Sequence, residues 1–344
     1  MADTPPSKPV GRLAPSPTGA LHIGNIRTLM CAWLSARSRG GRVVLRIEDL
    51  DHPKVKRGSA EALLEDLRWL GFDWDEGPDI GGPHAPYVQS RRTALYREAL
   101  CALRAKGLAY PCVCTRSEIE RCQSAPHAGE TLRYDGRCRD RFPSYGAAMA
   151  ASGGRPPAWR FRVPDAASAP PSDDARGPSP TVSFTDLFAG PFSQDVAAFS
   201  GDFAIARNSD GAGYALAVVV DDAAMGVTEV VRGDDLLPAT PAQILIHQAL
   251  GLPVPRYCHV PLVVGPDGRR LAKRHGDSRI SAFRDAGVSP ACIIGFLAAS
   301  LGWLPSPSPA SLRDLIPLFS LSSIPRSPLV FTPDLILAQS TQGR

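Results

Sequence analysis

No stretch of this chain approaches the roughly 18 consecutive apolar residues that a membrane-spanning helix needs, so a helical membrane protein is excluded. There is no internal repeat, which sets aside solenoids and propellers. The N-terminal MADTPPSKP is polar and lacks the apolar centre of a secretory leader, so a cytoplasmic location is expected, with a frayed end. Strong charge of either sign is also missing. The 38 Lys and Arg offset 34 Asp and Glu to leave +4, with a pI of about 8.7. That balance permits a nucleic-acid partner without demanding one.

Two common nucleotide signatures are absent as well. Gly19-Ala-Leu-His-Ile-Gly24 has P-loop spacing, but Asn25-Ile26 stand where the Lys and the Ser or Thr that bind phosphate and Mg²⁺ would be needed. No G-x-G-x-x-G follows either early strand, which removes the warrant for a dinucleotide site. What is present is ample material for a core: 344 residues, 44% hydrophobic, enough for a catalytic body with an insertion and a C-terminal module.

The most informative segment is GRLAPSPTGALHIGNIRTL, from Gly11 to Leu29. Val10 to Leu13 predicts a short strand, Pro15 and Pro17 bar helix, and Thr18-Gly19 permits a tight turn. From Ile26 the apolar residues Ile26, Leu29, Met30, Trp33 and Leu34 recur at helical spacing until Gly40-Gly41. Val43 to Ile47 predicts a second strand that leads into Glu48 and Asp49. Such a βαβ unit crosses over right-handed and brings both strand ends and His22 to one crevice. Free N–H groups and the positive dipole end at the helix start suit a phosphate, and His22 adds a donor. Far downstream, apolar Val260 to Val264 and the turn Gly265-Pro-Asp-Gly268 lead into a cationic loop, Arg269 to Gly276.

Taken together, APSPTGALHIGN resembles the first signature of the class I aminoacyl-tRNA synthetases, and Arg270-Leu-Ala-Lys273-Arg274 resembles a degenerate form of their lysine loop. RIEDLD (Arg46 to Asp51), YALAVVVDD (Tyr214 to Asp222) and VTEVVRGDDLL (Val227 to Leu237) are similar to the glutamyl-tRNA synthetase branch. The likeness runs in order over residues 10 to 280. Only about 70 residues follow Lys273, too few for a large anticodon-binding region, so the chain resembles the truncated glutamyl-queuosine tRNA(Asp) synthetase paralogues of that branch.

The resemblance implies a doubly wound, Rossmann-like parallel sheet with a zinc-containing insertion and a small helical C-terminal module. It divides the chain at 1–104 and 206–280 (two halves of the catalytic domain, the second with the lysine loop), 105–205 (the insertion) and 281–344 (the module). It implies that Arg12, Leu13, Ala14, Pro15, Ser16, Glu48, Tyr214 and Arg232 contact glutamate, Arg12 with its carboxylate-gripping fork and Glu48 through the substrate ammonium. Two arginines suit a dicarboxylic acid. His22, Asn25 and Lys273 are placed on ATP, with His22 and Lys273 catalytic and Mg²⁺ carried by the phosphates and water. Arg270 and Ala272 replace the first Lys and first Ser of the loop, and Asn25 the second signature histidine. The expected partners are L-glutamate, ATP and tRNA(Asp) carrying queuosine, for a monomer that activates glutamate without tRNA and esterifies it onto the queuosine base. Two other readings stay open: a truncated enzyme that charges the tRNA acceptor end, and a non-catalytic paralogue that binds RNA or an amino acid.

Between residues 105 and 205, Cys112-Val-Cys114 and Tyr134-Asp-Gly-Arg-Cys138 lie in an Arg-rich stretch with little apolar periodicity. In an intracellular chain, clustered thiolates suit tetrahedral Zn²⁺ better than disulfides. The family likeness places one structural zinc on Cys112, Cys114, Tyr134 and Cys138, with Cys122 and His127 as alternatives to the tyrosine. Cys31, Cys101, Cys258 and Cys292 are expected in the core. Residues 150–180, rich in Ala, Pro, Ser and Gly, are expected as loop. Thr240-Pro241 and Gly251 are expected to cap a helix at both ends. Arg137, Arg139 and Arg141, with Arg269, Arg270 and Arg274, are candidates to follow an RNA backbone.

Overall fold

The computed structural model describes residues 8–50, 55, 58–122, 133–164, 180–207, 211–269, 271 and 276–341. Strand β1 (Val10–Leu13), helix α1 (Ile23–Arg37) and strand β2 (Arg42–Leu45) form the expected βαβ unit, with β1 and β2 parallel from Val10–Arg42 to Leu13–Leu45. The helix starts three residues before the apolar periodicity does, because His22 caps it: its ring accepts from the backbone N–H of Gly24 and Asn25. The Asn25 side chain in turn accepts from the His22 N–H at 3.1 Å, closing a reciprocal cap. At the other end Gly40 takes φ +63°, which turns the chain into β2. β2 ends two residues earlier than expected, and Ile47 pairs singly with Val88.

After α2 (Ser59–Trp69) and α3 (Thr93–Ala105) the chain enters a second body. There β3 (Ala109–Cys112), α4 (Arg116–Cys122), α5 (Tyr145–Ala151) and β4 (Ala158–Phe161) come first. The hairpin β5 (Thr181–Asp186)–β6 (Gly190–Asp195), the short α6 (Val196–Phe199) and β7 (Phe203–Ala206) follow. β3, β4 and β7 make an antiparallel sheet in that order. Strand β4 falls within the stretch expected as loop: Trp159 and Phe161 are buried at alternate positions, and that short pattern outweighs its Pro-rich flanks.

The chain then returns to the parallel layer through α7 (Tyr214–Ala224), β8 (Glu229–Gly233), α8 (Thr240–Leu250) and β9 (Arg256–Val260), β8 and β9 being parallel. β8 lies beside β1, where the Thr228 N–H donates to the Val10 carbonyl at 2.9 Å and the Val10 N–H to Thr228 Oγ1 at 2.9 Å. Side chains alternate across this layer. Leu13, Val43, Leu45, Val231 and Cys258 join one core with α1, while Val10, Val44, Val230 and Tyr257 join another with α3, α7 and α8. Helices therefore cover both faces, as a parallel sheet requires. Gly251, at φ +67°, terminates α8 as expected, but the expected N-cap is absent: Thr240 is the first helical residue and its hydroxyl serves Arg232 instead.

Short β10 (Val263–Val264), α9 (Ile280–Asp285) and α10 (Pro290–Ser300) complete the layer with β11 (Leu329–Val330) and α11 (Asp334–Thr341), β11 pairing parallel with β10. The segment after 280 is thus part strand as well as helix, and Ile293, Leu297, Phe331 and Ile336 share the core of α1. Among the described residues no helix is long and apolar enough to cross a membrane. Of the four cysteines expected in the core, Cys31 and Cys258 are buried and Cys292 half-buried, whereas Cys101 is exposed because it faces outward on the amphipathic α3.

His247 on α8 is 1% exposed, and burial pushes its imidazole down to about 4. The unfolded chain therefore takes up a proton near the ordinary 6.5 while the folded chain does not, so this residue costs stability as pH falls from 6.5 to 4. In urea unfolding, His247→Leu is expected to lose about 3 kcal/mol less than the wild type between pH 7 and pH 4. Identical losses would contradict the assignment.

Candidate active site

A cleft of about 540 Å³ opens at the C-terminal ends of β1 and β8. It is lined by Arg12, Ala14, Pro15, Ser16, His22, Asn25, Glu48, Tyr214 and Arg232, with Asp235 at the same wall. The fold thus gathers residues from four separate parts of the sequence. Leu13 is the exception: its side chain is fully buried on the opposite face, because successive strand residues alternate, and its carbonyl accepts from the Arg46 N–H at 2.8 Å. Lys273, Arg270, Ala272 and Arg274 lie outside the described residues.

His22 uses Nδ1 as an acceptor for the α1 backbone, at 3.1 Å from Gly24 N and 3.4 Å from Asn25 N. A neutral ring that accepts at Nδ1 carries its proton on Nε2. The cap therefore sets the tautomer. Asn25 Oδ1 is likewise committed to the cap, which leaves its amide N–H₂ as the donor end of the side chain.

Beneath the cleft lies a buried lattice of charge. Arg46, fully buried, donates to Glu48 Oε1 at 2.9 Å and to Asp222 Oδ1 at 2.7 Å, and sits 3.7 Å from Asp221 Oδ2. Asp222 also faces Arg12 at 3.6 Å, and Arg12 donates to the Val231 carbonyl at 3.3 Å. Asp221 is further held by Arg92 at 2.6 Å, Tyr96 at 2.8 Å and Gln89 at 2.9 Å. Burial raises the Glu48 carboxyl above its ordinary range, a push that Arg46 and Arg12 oppose. Glu48 is 8% exposed and reaches the cleft, so a cationic ligand group there gains an anion already stripped of water. Tyr214, the first residue of α7, is by contrast 43% exposed at the rim.

Arg232 lies inside β8, 5% exposed. Its Nε–H donates to His259 Nε2 at 3.0 Å and a terminal N–H to Thr240 Oγ1 at 2.8 Å. Sequence reasoning quoted the motifs that hold Arg46, Asp221 and Asp222 without giving those residues a role, and it missed Asp186 and His259. The available signal was charge inside apolar runs, as in VVLRI and AVVVDD.

In the second body, the sulfurs of Cys112, Cys114 and Cys138 all lie within 4.8 Å of one another. The Tyr134 hydroxyl is 3.4 Å from the Cys112 sulfur and 3.8 Å from that of Cys114. A four-coordinate Zn²⁺ with bonds of about 2.3 Å spaces its sulfurs by about 3.8 Å, so the donor set fits a tetrahedral ion. Hydrogen bonds from Cys112 and Tyr134 draw the Cys138 thiol down to about 6, and Arg160, donating to Cys112 at 3.2 Å and lying over the Tyr134 ring, adds a cation that favours anionic ligands. The Cys122 side chain and all of His127 lie outside the described residues. Nearby arginines are engaged within the protein: Arg137 with Asp135 at 2.7 Å and Arg139 with Asp202 at 2.6 Å.

A parallel layer wound on both faces, with a histidine-capped helix and a two-arginine cleft at its strand ends, defines the catalytic body of a class I aminoacyl-tRNA synthetase. Residues 9–316 match the family model for the catalytic domain of class I tRNA synthetases (E and Q), and the chain belongs to that family. It is 49% identical to a glutamyl-Q tRNA(Asp) synthetase of Symbiobacterium thermophilum over 96% of this chain and 98% of that relative. It is 46% identical to one of Nitratidesulfovibrio vulgaris over 95% and 96%. A glutamate–tRNA ligase of Heliobacterium modesticaldum is 42% identical, but the chain spans 62% of it. A crystal structure of a glutamate tRNA ligase from Elizabethkingia meningosepticum, in complex with its amino acid, superposes with a TM-score of 0.80 at 28% identity, over 98% of this chain and 70% of that one.

Removing Arg46 strands Glu48 and Asp222 without their shared cation. Arg46→Met is expected to lower unfolding free energy by about 3–5 kcal/mol in urea titration. A loss below about 1 kcal/mol would show the lattice to be incidental.

Proposed function

We propose that the chain activates glutamate with ATP to glutamyl-adenylate, without tRNA, and transfers the glutamate to the queuosine base in the anticodon of tRNA(Asp). The observation that carries this is the convergence of Arg12, Arg232 and Glu48 in one buried cleft beside the capped helix start. Two cations and one anion match the two carboxylates and the ammonium of glutamate. Similarity at 46–49% identity across nearly the full length of both partners supports the second step over acceptor-end charging.

In this reading Arg12 grips a carboxylate, Ser16 hydrogen-bonds it, and Ala14 and Pro15 shape the wall. Glu48 takes the ammonium group, while Arg232 and Tyr214 complete the contacts. The α-carboxylate attacks the α-phosphorus of ATP; a new O–P bond forms as the bond to pyrophosphate breaks. No protein nucleophile is required, so catalysis rests on alignment and on stabilising charge. His22 Nε2–H donates to phosphate oxygens, the Asn25 amide assists, and Lys273 neutralises the leaving pyrophosphate. Mg²⁺ arrives with the nucleotide. A hydroxyl of the queuosine cyclopentenediol then attacks the mixed anhydride and releases AMP. Cys112, Cys114, Tyr134 and Cys138 would hold Zn²⁺, which supplies a cross-link for the insertion (105–205) and no step of the reaction. Residues 1–104 and 206–280 make the catalytic body and 281–344 the C-terminal module. The cytoplasm, where charged substrates and tRNA meet, is the proposed location.

Purified protein is expected to exchange pyrophosphate into ATP with glutamate and no RNA. Lys273→Ala should lower kcat by about a hundredfold or more with little change in glutamate KM, because the lysine acts on charge that develops late. Exchange with none of the twenty amino acids would overturn the reading. Metal analysis is expected to find one zinc per chain, lost in Cys138→Ser; zinc retained at full occupancy in that variant would remove the site.

A further inference from the structure

Of the two cleft arginines, Arg232 is held by a histidine among the described residues. His259, on β9, is 1% exposed, and its Nε2 faces the Arg232 Nε–H at 3.0 Å. An arginine nitrogen can only donate here, so Nε2 must accept. The other ring nitrogen, Nδ1, lies 2.6 Å from Oδ2 of Asp186, the last residue of β5. Asp186 Oδ1 is saturated by three backbone N–H groups, from Phe188 at 2.9 Å, Ala189 at 2.8 Å and His259 at 3.1 Å. Together with the ring, these hold its carboxylate ionised, below its ordinary range. The proton therefore sits on Nδ1. Thr240, fully buried, closes the arrangement by accepting from Arg232 at 2.8 Å while lying 3.1 Å from His259 Nε2.

We propose that Asp186, His259 and Thr240 form a buried relay that positions Arg232 for the substrate carboxylate, and that glutamate binding requires His259 in its neutral, Nδ1-protonated form. The proposal rests on the functional reading above. Two of the five Arg232 N–H donors are consumed by the relay, which leaves three for a carboxylate in the cleft that this residue lines. A second proton on His259 would replace the acceptor with an N–H aimed at a guanidinium. That contact is repulsive, and Arg232 would have to turn away.

The charged groups acting on the ring come from every side. Asp186 favours its protonation; Arg232 and, farther off, Arg12 oppose it, as does burial. Asp234, in the turn after β8, feels the ring charge too. The Tyr257 ring stacks beside it at 6.2 Å and also lies under Arg232. The balance places the ring below the ordinary histidine value, so the neutral form prevails at pH 7 and is lost on acidification. Glu48 also titrates in acid, and the His259 contribution is isolated as the difference between wild type and a variant without the ring.

The test measures glutamate KM, ATP KM and kcat by pyrophosphate exchange from pH 5 to 8. His259→Asn keeps a donor for Asp186, but its shorter side chain places no acceptor where Nε2 stood; its glutamate KM is expected to rise about tenfold at pH 7, with kcat and ATP KM within about threefold. His259→Gln offers Arg232 a carbonyl that cannot titrate. Its KM is expected to rise only a few-fold at pH 7 and to increase less than the wild type's between pH 7 and pH 5. The tautomer is read without activity, by long-range ¹H–¹⁵N correlation of the imidazole, where Nδ1 protonated and Nε2 bare supports the relay. A His259→Asn enzyme with unchanged KM, a His259→Gln acid limb equal to the wild type's, or a proton on Nε2 at pH 7 would each overturn it. Wild-type protein inactive with every amino acid would instead overturn the functional reading, and the tautomer would still decide the relay.

Discussion

Arg46, without solvent contact, is shared by carboxylates from two elements: Glu48, two residues along its own strand direction, and Asp222 at the end of α7. Charges taken out of water are tolerated only where partners are in place, and losing one partner costs far more than the pair contributes. The lattice therefore constrains the register of β2 against α7 and, through Asp222 and Arg12, of α7 against β1. The apolar cores on the two faces supply the driving force for folding, since burial of side chains such as Trp33, Phe161 and Leu216 is non-directional. The charge lattice selects which compact arrangement results. Its consequence is a cleft whose cations and anion stand in place before any ligand arrives, which reduces the ordering cost of binding.

The helix-start side of the cleft is preset by a different device. A histidine at a helix start could accept or donate at either nitrogen; here the backbone of α1 occupies Nδ1, and the proton is left on Nε2. The relay through Asp186 and His259 applies the same logic to Arg232. In each case the scaffold fixes one side of a side chain that lines the cleft. Hydrogen-bond direction at rigid elements achieves this.

What could be read from sequence was local. The βαβ unit, the turn at Gly40 and the end of α8 at Gly251 follow from periodicity and glycine placement within a few residues. The cysteine cluster was legible because Cys112-Val-Cys114 and Cys138 stand in an Arg-rich stretch with little apolar periodicity, and the family likeness added Tyr134. Arg12, Glu48 and Arg232 were reached only through motif resemblance, since nothing in their immediate neighbours says which face they share. Arg46–Asp222 and Asp186–His259 were illegible as pairs, being joined across 176 and 73 residues. Strand β4 was hidden by its Pro-rich surroundings, and the role of Thr240 by its conformity to a helix-cap pattern. Leu13 was carried along with the neighbours that line the cleft, although strand alternation turns it to the core.

The central claim is that the cleft is already built for a dicarboxylic amino acid in the absence of RNA. Calorimetric titration of the RNA-free protein with glutamate and with glutamine tests it most directly, because the two ligands differ by a single carboxylate and are otherwise nearly isosteric. The account predicts that glutamate binds without RNA and about a hundredfold more tightly than glutamine, since the amide would leave a buried guanidinium unpaired. Equal affinities, or glutamate binding that appears only after tRNA is added, would contradict it.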